Sequence, residues 1–79
     1  MTLDDYQAEQ RNAAAELASL SPRQREVLVL TAKGMTIKEV AVGLSLSPST
    51  IDVHKSKMLE KLAMSTTEAV VLAVKARWV

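Results

Sequence analysis

The sequence predicts an all-α fold in which four short helices follow an additional N-terminal helical segment. Four hydroxyl residues stand where the later helices should begin, and the apolar residues between them recur at helical spacing. Composition is the third observation. The 79 residues are 48% hydrophobic but include no Phe, one Trp and one Tyr, so the core should be aliphatic and fill one compact domain.

Each of the four predicted helix starts is a Ser or Thr followed by Pro at the first helical position, by Glu or Gln at the third, or by both. These starts are Ser21 with Pro22 and Gln24, Thr36 with Glu39, Ser47 with Pro48, and Ser65 with Glu68. A capping hydroxyl accepts an unpaired backbone N–H of the first turn, typically worth about 1 kcal/mol. The predicted helices are residues 22–33, with Gly34 as the stop, 36–44, 48–62 and 66–77.

Residues 1–19 are predicted to form a separate N-terminal helical or linker segment ahead of a domain at residues 20–79. Six residues recur at steps of three and four, as on one face of a helix, although Gln10 and Ala13 make that face only weakly apolar. They are Leu3, Tyr6, Gln10, Ala13, Leu17 and Leu20. Two interpretations stay open. The segment is either a helix that lies on the core or frays, or a linker or self-association helix.

Charge is unevenly distributed, although the net charge is only +1. Residues 1–20 hold four acidic residues and Arg11, a net of −3, whereas residues 21–79 hold nine basic and five acidic residues, a net of +4. A basic later segment favours a phosphate-facing surface, but many soluble domains of this size reach the same charge.

Several classes of protein are excluded by what the chain lacks. The absence of cysteine excludes disulfides and thiolate metal sites and suits a reducing cytoplasm. The longest apolar run, residues 69–74, is far shorter than a membrane span, and the N-terminus does not have a secretion-signal pattern. His54 has no Cys or carboxylate cluster beside it, so we interpret it as a structural histidine. The sequence contains no residues from which a nucleophile–base pair, a phosphate loop or a metal cluster could be assembled. We therefore expect neither enzyme activity nor a cofactor.

The second and third predicted helices are joined by only about three residues, 45–47. So short a join is typical of a helix-turn-helix, whose second helix is free to enter a DNA groove. Ala41 should lie where the two helices come closest. The apolar contacts between them should come from Val40, Leu44, Leu46 and Ile51. Short helix pairs also occur in proteins that do not bind DNA, so the spacing alone leaves the function open.

The third predicted helix has two chemically distinct faces. At 100° per residue, Ile51, Met58 and Leu62 fall on one stripe with Leu59 beside it. The opposite face carries Ser49, Asp52, Val53, Ser56, Lys57 and Glu60. Short side chains near its start can approach base edges while cations meet phosphate. Lys55 falls among the apolar residues, so its stem should lie on apolar surface with the ammonium reaching outward.

Ordered motifs identify a family resemblance. Residues 20–28 read LSPRQREVL, Gly34 follows, Lys38 to Ala41 reads KEVA, residues 46–54 read LSPSTIDVH, and Lys61-Leu62 closes the series. These elements resemble the LuxR/GerE-type helix-turn-helix, the DNA-binding output domain of NarL- and FixJ-like response regulators, over about residues 20–75. Promoter-reading domains of sigma factors share the opening motif, but His54 and the apolar last helix favour the LuxR/GerE type.

The resemblance implies sequence-specific binding of double-stranded DNA by a bacterial transcriptional regulator or its output domain, with residues 48–62 in the major groove. Asp52, Val53 and Ser56 match base-reading positions, and Lys55 and Lys57 match positions that contact bases or phosphates. Lys38 and Thr50 match backbone-contacting positions, and we add Ser47, Ser49 and Lys61 to the predicted DNA-binding set. Asp52 departs from the cation or neutral residue usual there, so a protein-interaction module that has lost DNA affinity is the alternative.

From Ala69 to Val74 the last predicted helix is apolar all round, and exposed apolar area indicates an interface. The resemblance implies a homodimer formed through this helix, with Val70, Val71 and Val74 at the interface. The alternative is a helix buried deeply by the N-terminal segment. RNA polymerase and a receiver or signal-sensing domain or protein are further implied partners, whereas a membrane is not. Such a regulator is cytoplasmic and associates with the nucleoid when bound to DNA. Both a single-domain regulator and an output domain are compatible with these residues.

Overall fold

A computed structural model describes residues 2–79, and Met1, the first residue of the predicted N-terminal segment, lies outside them. The described residues form five α-helices and no strand, which confirms the all-α prediction. The helices are α1 (Leu3–Leu17), α2 (Pro22–Ala32), α3 (Ile37–Leu44), α4 (Pro48–Leu62) and α5 (Thr66–Lys75). The predicted ends of α2 and α5 are one and two residues too late, because Lys33, Ala76 and Arg77 belong to the turns that close these helices.

The predicted hydroxyl caps form at all four later helices. Ser21, Thr36 and Ser65 make complete capping boxes with Gln24, Glu39 and Glu68, and Ser47 accepts from the backbone N–H of Thr50. Helix α1 has a fourth capping box, formed by Thr2 and Asp5. The starts of the helices are thus fixed by side chains within the first turn, which is why the sequence places them well.

Two clusters of buried side chains hold the helices together. The turn cluster consists of Val27, Val40, Ala41 and Ile51, and joins α2, α3 and α4. The larger cluster joins α1, α2, α4 and α5. Its buried members are Ala13, Leu17, Leu28, Met58, Ala69, Ala73 and Ala76. Helix α4 contributes to both clusters through Ile51 and Met58, one in each half of the helix, so its two ends are fixed by different parts of the core.

Helix α1 lies against α5, and its docked end belongs to the core. Ala13 and Leu17 are buried, whereas Leu3 near the start of the helix is exposed. Glu9 pairs with Lys75 at 3.0 Å, and the Arg77 guanidinium donates to the Tyr6 hydroxyl and lies over its ring, 4.8 Å from the centroid. Of the two interpretations of this segment, the structure supports a helix that lies on the core.

Helix α5 packs through alanine. Its inward residues, Ala69, Ala73 and Ala76, are called the alanine face, and all three are buried. Trp78 follows the helix, donates its backbone N–H to the Ala73 carbonyl at 3.0 Å and lies under the Arg25 guanidinium, 4.2 Å from the ring centroid. Of the helices in residues 2–79, none is long and apolar enough to span a lipid bilayer.

Candidate nucleic-acid interface

The turn between α3 and α4 is as short as predicted. Ser45 ends α3 in the left-handed region (φ 57°), which lets the Leu46 N–H bond to the Ala41 carbonyl at 2.9 Å. Ser47 then caps α4. Ala41 and Ile51 are both buried in the turn cluster, so the two helices meet where the sequence predicted. This packing fixes α4 from one side and leaves its other side open.

Three hydroxyl groups gather at the N-terminus of α4. The Ser47 Oγ accepts from the Thr50 N–H at 3.2 Å and lies 2.8 Å from the Thr50 Oγ1 and 3.2 Å from the Ser49 Oγ. The first turn of α4 contains no acidic residue. The positive end of the helix dipole is therefore not offset by a carboxylate there, and such an end favours an anion such as phosphate.

The predicted polar face of α4 is accessible to solvent. Asp52, Ser56 and Lys57 are exposed, and Val53 keeps 51% of its surface exposed in the middle of them. Ile51 and Met58, on the opposite stripe, are buried. The face that the sequence assigned to DNA is thus free to lie against a partner over about two helical turns.

The remaining predicted cations differ in their surroundings. Lys38 is exposed in the first turn of α3, and Val42, one turn later on the same face, is 82% exposed, a feature that sequence reasoning did not single out. Lys55 is half-buried, as expected for a side chain whose stem lies on apolar surface. His54 is also half-buried at the edge of the stripe.

Lys61, one of the predicted DNA ligands, is exposed and also makes contacts within the domain. Its ammonium donates to the Ser19 carbonyl at 3.0 Å and to the Gln24 Oε1 at 3.3 Å. Sequence reasoning had given Gln24 only a capping role and missed this contact. The contact joins residues 37 and 42 positions apart, and no local pattern indicates such a pairing.

Two acidic residues near the interface have structural partners. Glu26 pairs with Arg23 at 3.0 Å. Glu39 accepts from the Thr36 N–H at 3.0 Å, and this bond, with the one to the Thr36 side chain, lowers the pKa of Glu39 below its ordinary value of 4.5. Both carboxylates belong to helix starts and neither has the surroundings of a catalytic base.

The outward side of α5 is apolar. Val71 and Val74 are 46% and 56% exposed, and Val70 is half-buried. Helix α1 therefore does not bury the last helix deeply. Met64, Val71 and Leu72 also line a shallow groove beside Glu16 and Glu68.

Residues 18–73 match the protein family described as "Bacterial regulatory proteins, luxR family". The chain is 45% identical over 53 residues to the transcriptional regulatory protein UhpA of Salmonella typhimurium, which covers 67% of this chain and 27% of the relative. It is 39% identical over 67 residues to the transcriptional regulatory protein FixJ of Bradyrhizobium diazoefficiens, covering 84% of this chain and 33% of the relative. The probable transcriptional regulatory protein NarL of Mycobacterium tuberculosis is 42% identical over 62 residues, covering 77% and 29%.

The chain thus spans about a quarter to a third of the length of these curated relatives. The match includes α2, α3, α4 and most of α5, whereas all of α1 precedes it. The family match also selects the LuxR/GerE-type interpretation over the sigma-factor alternative. With its helix-turn-helix and matching relatives, the chain belongs to the luxR family of bacterial regulatory proteins, a family of DNA-binding transcriptional regulators and not of enzymes.

Proposed function

We propose that the chain binds specific sequences of double-stranded DNA by inserting α4 into the major groove, as a bacterial transcriptional regulator or its output domain. One observation carries the proposal: Asp52, Val53, Ser56 and Lys57 lie exposed on α4, on the side away from both core clusters. A helix presented in this way fits the width of the major groove.

The contacts divide by chemistry. Asp52, Val53 and Ser56 have short side chains, so they approach base edges and supply sequence preference. Lys38, Lys55 and Lys57 supply charge to phosphates. Ser47, Ser49 and Thr50 bring hydroxyl groups and the positive end of the helix dipole to the same strand.

Asp52 restricts the choice of base. An exposed carboxylate in the groove is repelled by phosphates, but it can accept a hydrogen bond from the amino group of cytosine. We therefore propose that the preferred half-site places a cytosine opposite Asp52, and that affinity is modest for sequences without it.

A dimer formed through α5 would place two copies of α4 about one helical turn of DNA apart. The support for it is the arrangement of side chains on α5, where the small alanine face is turned inward and the larger Val71 and Val74 outward. Large apolar side chains exposed next to Val70 are typical of an interface.

The proposed site of action is the bacterial cytoplasm, at the nucleoid. Because the matched segment covers only about a quarter to a third of each transcriptional regulator named above, we propose a receiver or signal-sensing domain or protein as a further partner. We propose RNA polymerase as the partner of the regulator during the initiation of transcription.

Lys57→Ala tests the DNA contact. Fluorescence anisotropy against mixed genomic DNA should show weaker binding and a salt dependence whose logarithmic slope is smaller by about 0.9, because one phosphate contact is lost. Lys75→Ala is the matched control. It removes the same charge from α5, where Lys75 pairs with Glu9 of α1, and it should leave the salt slope unchanged. An unchanged slope for Lys57→Ala would contradict its role. Wild-type protein without salt-sensitive binding would favour the protein-interaction alternative.

Val74→Lys tests the dimer on a duplex carrying two half-sites selected from a random pool. The variant should lose cooperative binding but keep its affinity for a single half-site, because the change lies on α5 and not on α4. Leu3→Lys is the control, since it adds the same charge at an exposed apolar residue of α1, outside α4 and α5. Cooperativity that survives in Val74→Lys would exclude this interface.

A further inference from the structure

We infer that Lys61 is a positioning residue that sets the rotation of α4 about its own axis, and that it does not serve as a DNA ligand. The inference rests on the proposed function, because rotation of α4 matters only if its outward face reads DNA. The Lys61 ammonium donates to the Ser19 carbonyl at 3.0 Å and to the Gln24 Oε1 at 3.3 Å. Both acceptors lie at the join between α1 and α2.

The acceptor side of this contact is fixed in place. Gln24 is only 8% exposed, and its Oε1 also accepts from the Ser21 N–H at 3.0 Å. The Gln24 N–H in turn donates to the Ser21 Oγ at 3.1 Å. The amide that receives the Lys61 ammonium is therefore held by the capping box of α2 and cannot follow α4 if that helix turns.

The apolar contacts of α4 restrain its roll on one flank of the stripe. Ile51 and Met58 lie on the stripe itself, and Leu59, about 80° from Ile51 around the helix axis, packs against the larger cluster beside it. Lys61 is displaced from Met58 by about 60° in the opposite direction. Its contact with Gln24 therefore resists a roll on the flank that Leu59 does not reach.

A small roll is enough to matter for base reading. On a helix whose side chains reach about 6 Å from the axis, a roll of about 10° moves their tips by about 1 Å. Hydrogen bonds to base edges tolerate only a few tenths of an ångström in length. Val53 and Ser56 lie one to two turns from Lys61 on the same rigid helix, so the tie at one end controls the position of the reading face.

The test compares two lysines of α4, Lys61→Met and Lys57→Met, because each substitution removes one positive charge. Binding is measured by anisotropy at several salt concentrations. The probes are the duplex that the wild-type chain selects from a random pool and sonicated mixed-sequence genomic DNA. Lys61→Met should weaken binding to the selected duplex about tenfold, change binding to mixed DNA less than twofold, and leave the salt slope unchanged. Lys57→Met should weaken both and lower the slope.

Gln24→Leu removes the acceptor without changing the charge, and should reproduce the loss of sequence preference seen in Lys61→Met. Gln24→Glu keeps an acceptor oxygen and should bind like wild type. Circular dichroism at the assay temperature establishes which variants are folded, and the milder Lys61→Gln replaces Lys61→Met if the latter unfolds. Lys61→Gln should show the same loss of affinity for the selected duplex, with an unchanged salt slope.

Two outcomes would overturn the inference. If Lys61→Met lost affinity equally for both DNAs and its salt slope fell by about 0.9, Lys61 would be a phosphate ligand. Unchanged affinity in a folded Lys61 variant that is merely less stable would make the contact structural alone. A wild-type chain that binds neither DNA would instead refute the proposed function, so the two failures are distinguishable.

Discussion

The turn cluster and the alanine face of α5 pack helices with side chains of opposite size. The turn cluster brings together the branched side chains of Val27, Val40 and Ile51 around the single small residue Ala41. Helix α5 instead presents Ala69, Ala73 and Ala76 to the core and turns its larger Val71 and Val74 toward solvent. The first region depends on filled volume, whereas the second depends on close approach.

The contrast matches what each region is proposed to do. Helix α4 is seated by bulky apolar contacts on one side, so its polar side can be exposed to DNA without loss of stability. Helix α5 docks through small residues, so its valines remain available to a second copy. Its contacts with α1 are supplemented at the surface by Glu9 with Lys75 and Tyr6 with Arg77. A partly exposed ion pair such as Glu9–Lys75 contributes under about 1 kcal/mol, and an exposed cation–π contact such as that of Arg77 with Tyr6 about 0.5–1 kcal/mol.

Removing volume should do most damage in the turn cluster. Ile51→Ala leaves a cavity between α2, α3 and α4 and should lower the free energy of unfolding by about 2–5 kcal/mol, measured by urea denaturation. Ile51→Val, the control, should cost about 0.5–1.5 kcal/mol. If Ile51→Ala cost less than about 1 kcal/mol, the cluster would not hold α4 as argued.

Adding volume should do most damage at the alanine face. Ala73→Leu must push α5 away from the core, and overpacking of this kind costs about 1–3 kcal/mol in urea denaturation. Val74→Leu on the exposed side of the same helix should change stability by no more than about 0.5 kcal/mol. Tolerance of leucine at position 73 would show that α5 does not dock through close approach.

The smallest effect concerns the capping box of α3, beside the turn cluster. Because the Thr36 hydrogen bonds lower the pKa of Glu39, the ionised carboxylate stabilises the folded state above pH 4.5, and that contribution fades as pH falls through the lowered pKa. The stability difference between wild type and Glu39→Gln, followed by thermal melts from pH 7 to pH 3, should therefore shrink toward acid. A constant difference would mean that the charge of Glu39 is not involved.

Local features were the ones that sequence reasoning predicted well. The four later caps, the short turn and the two faces of α4 all depend on residues within about two helical turns of one another, as for Ser47 and Thr50 or Ile51 and Met58. The ends of α2 and α5 were misplaced by one or two residues, because Lys33, Ala76 and Arg77, which close them, carry no equally strong stop signal. The exposed Val42 and the Arg25–Trp78 contact were not anticipated.

The amino-acid order alone determined where the four later helices begin and which side of α4 is apolar, because capping and helical periodicity act over one or two turns. Tertiary packing was needed to show that α1 lies along α5, that Val71 and Val74 face outward, and that the Lys61 ammonium is held by Ser19 and Gln24. These outcomes join residues tens of positions apart, and which partners meet there depends on the shape of the whole core.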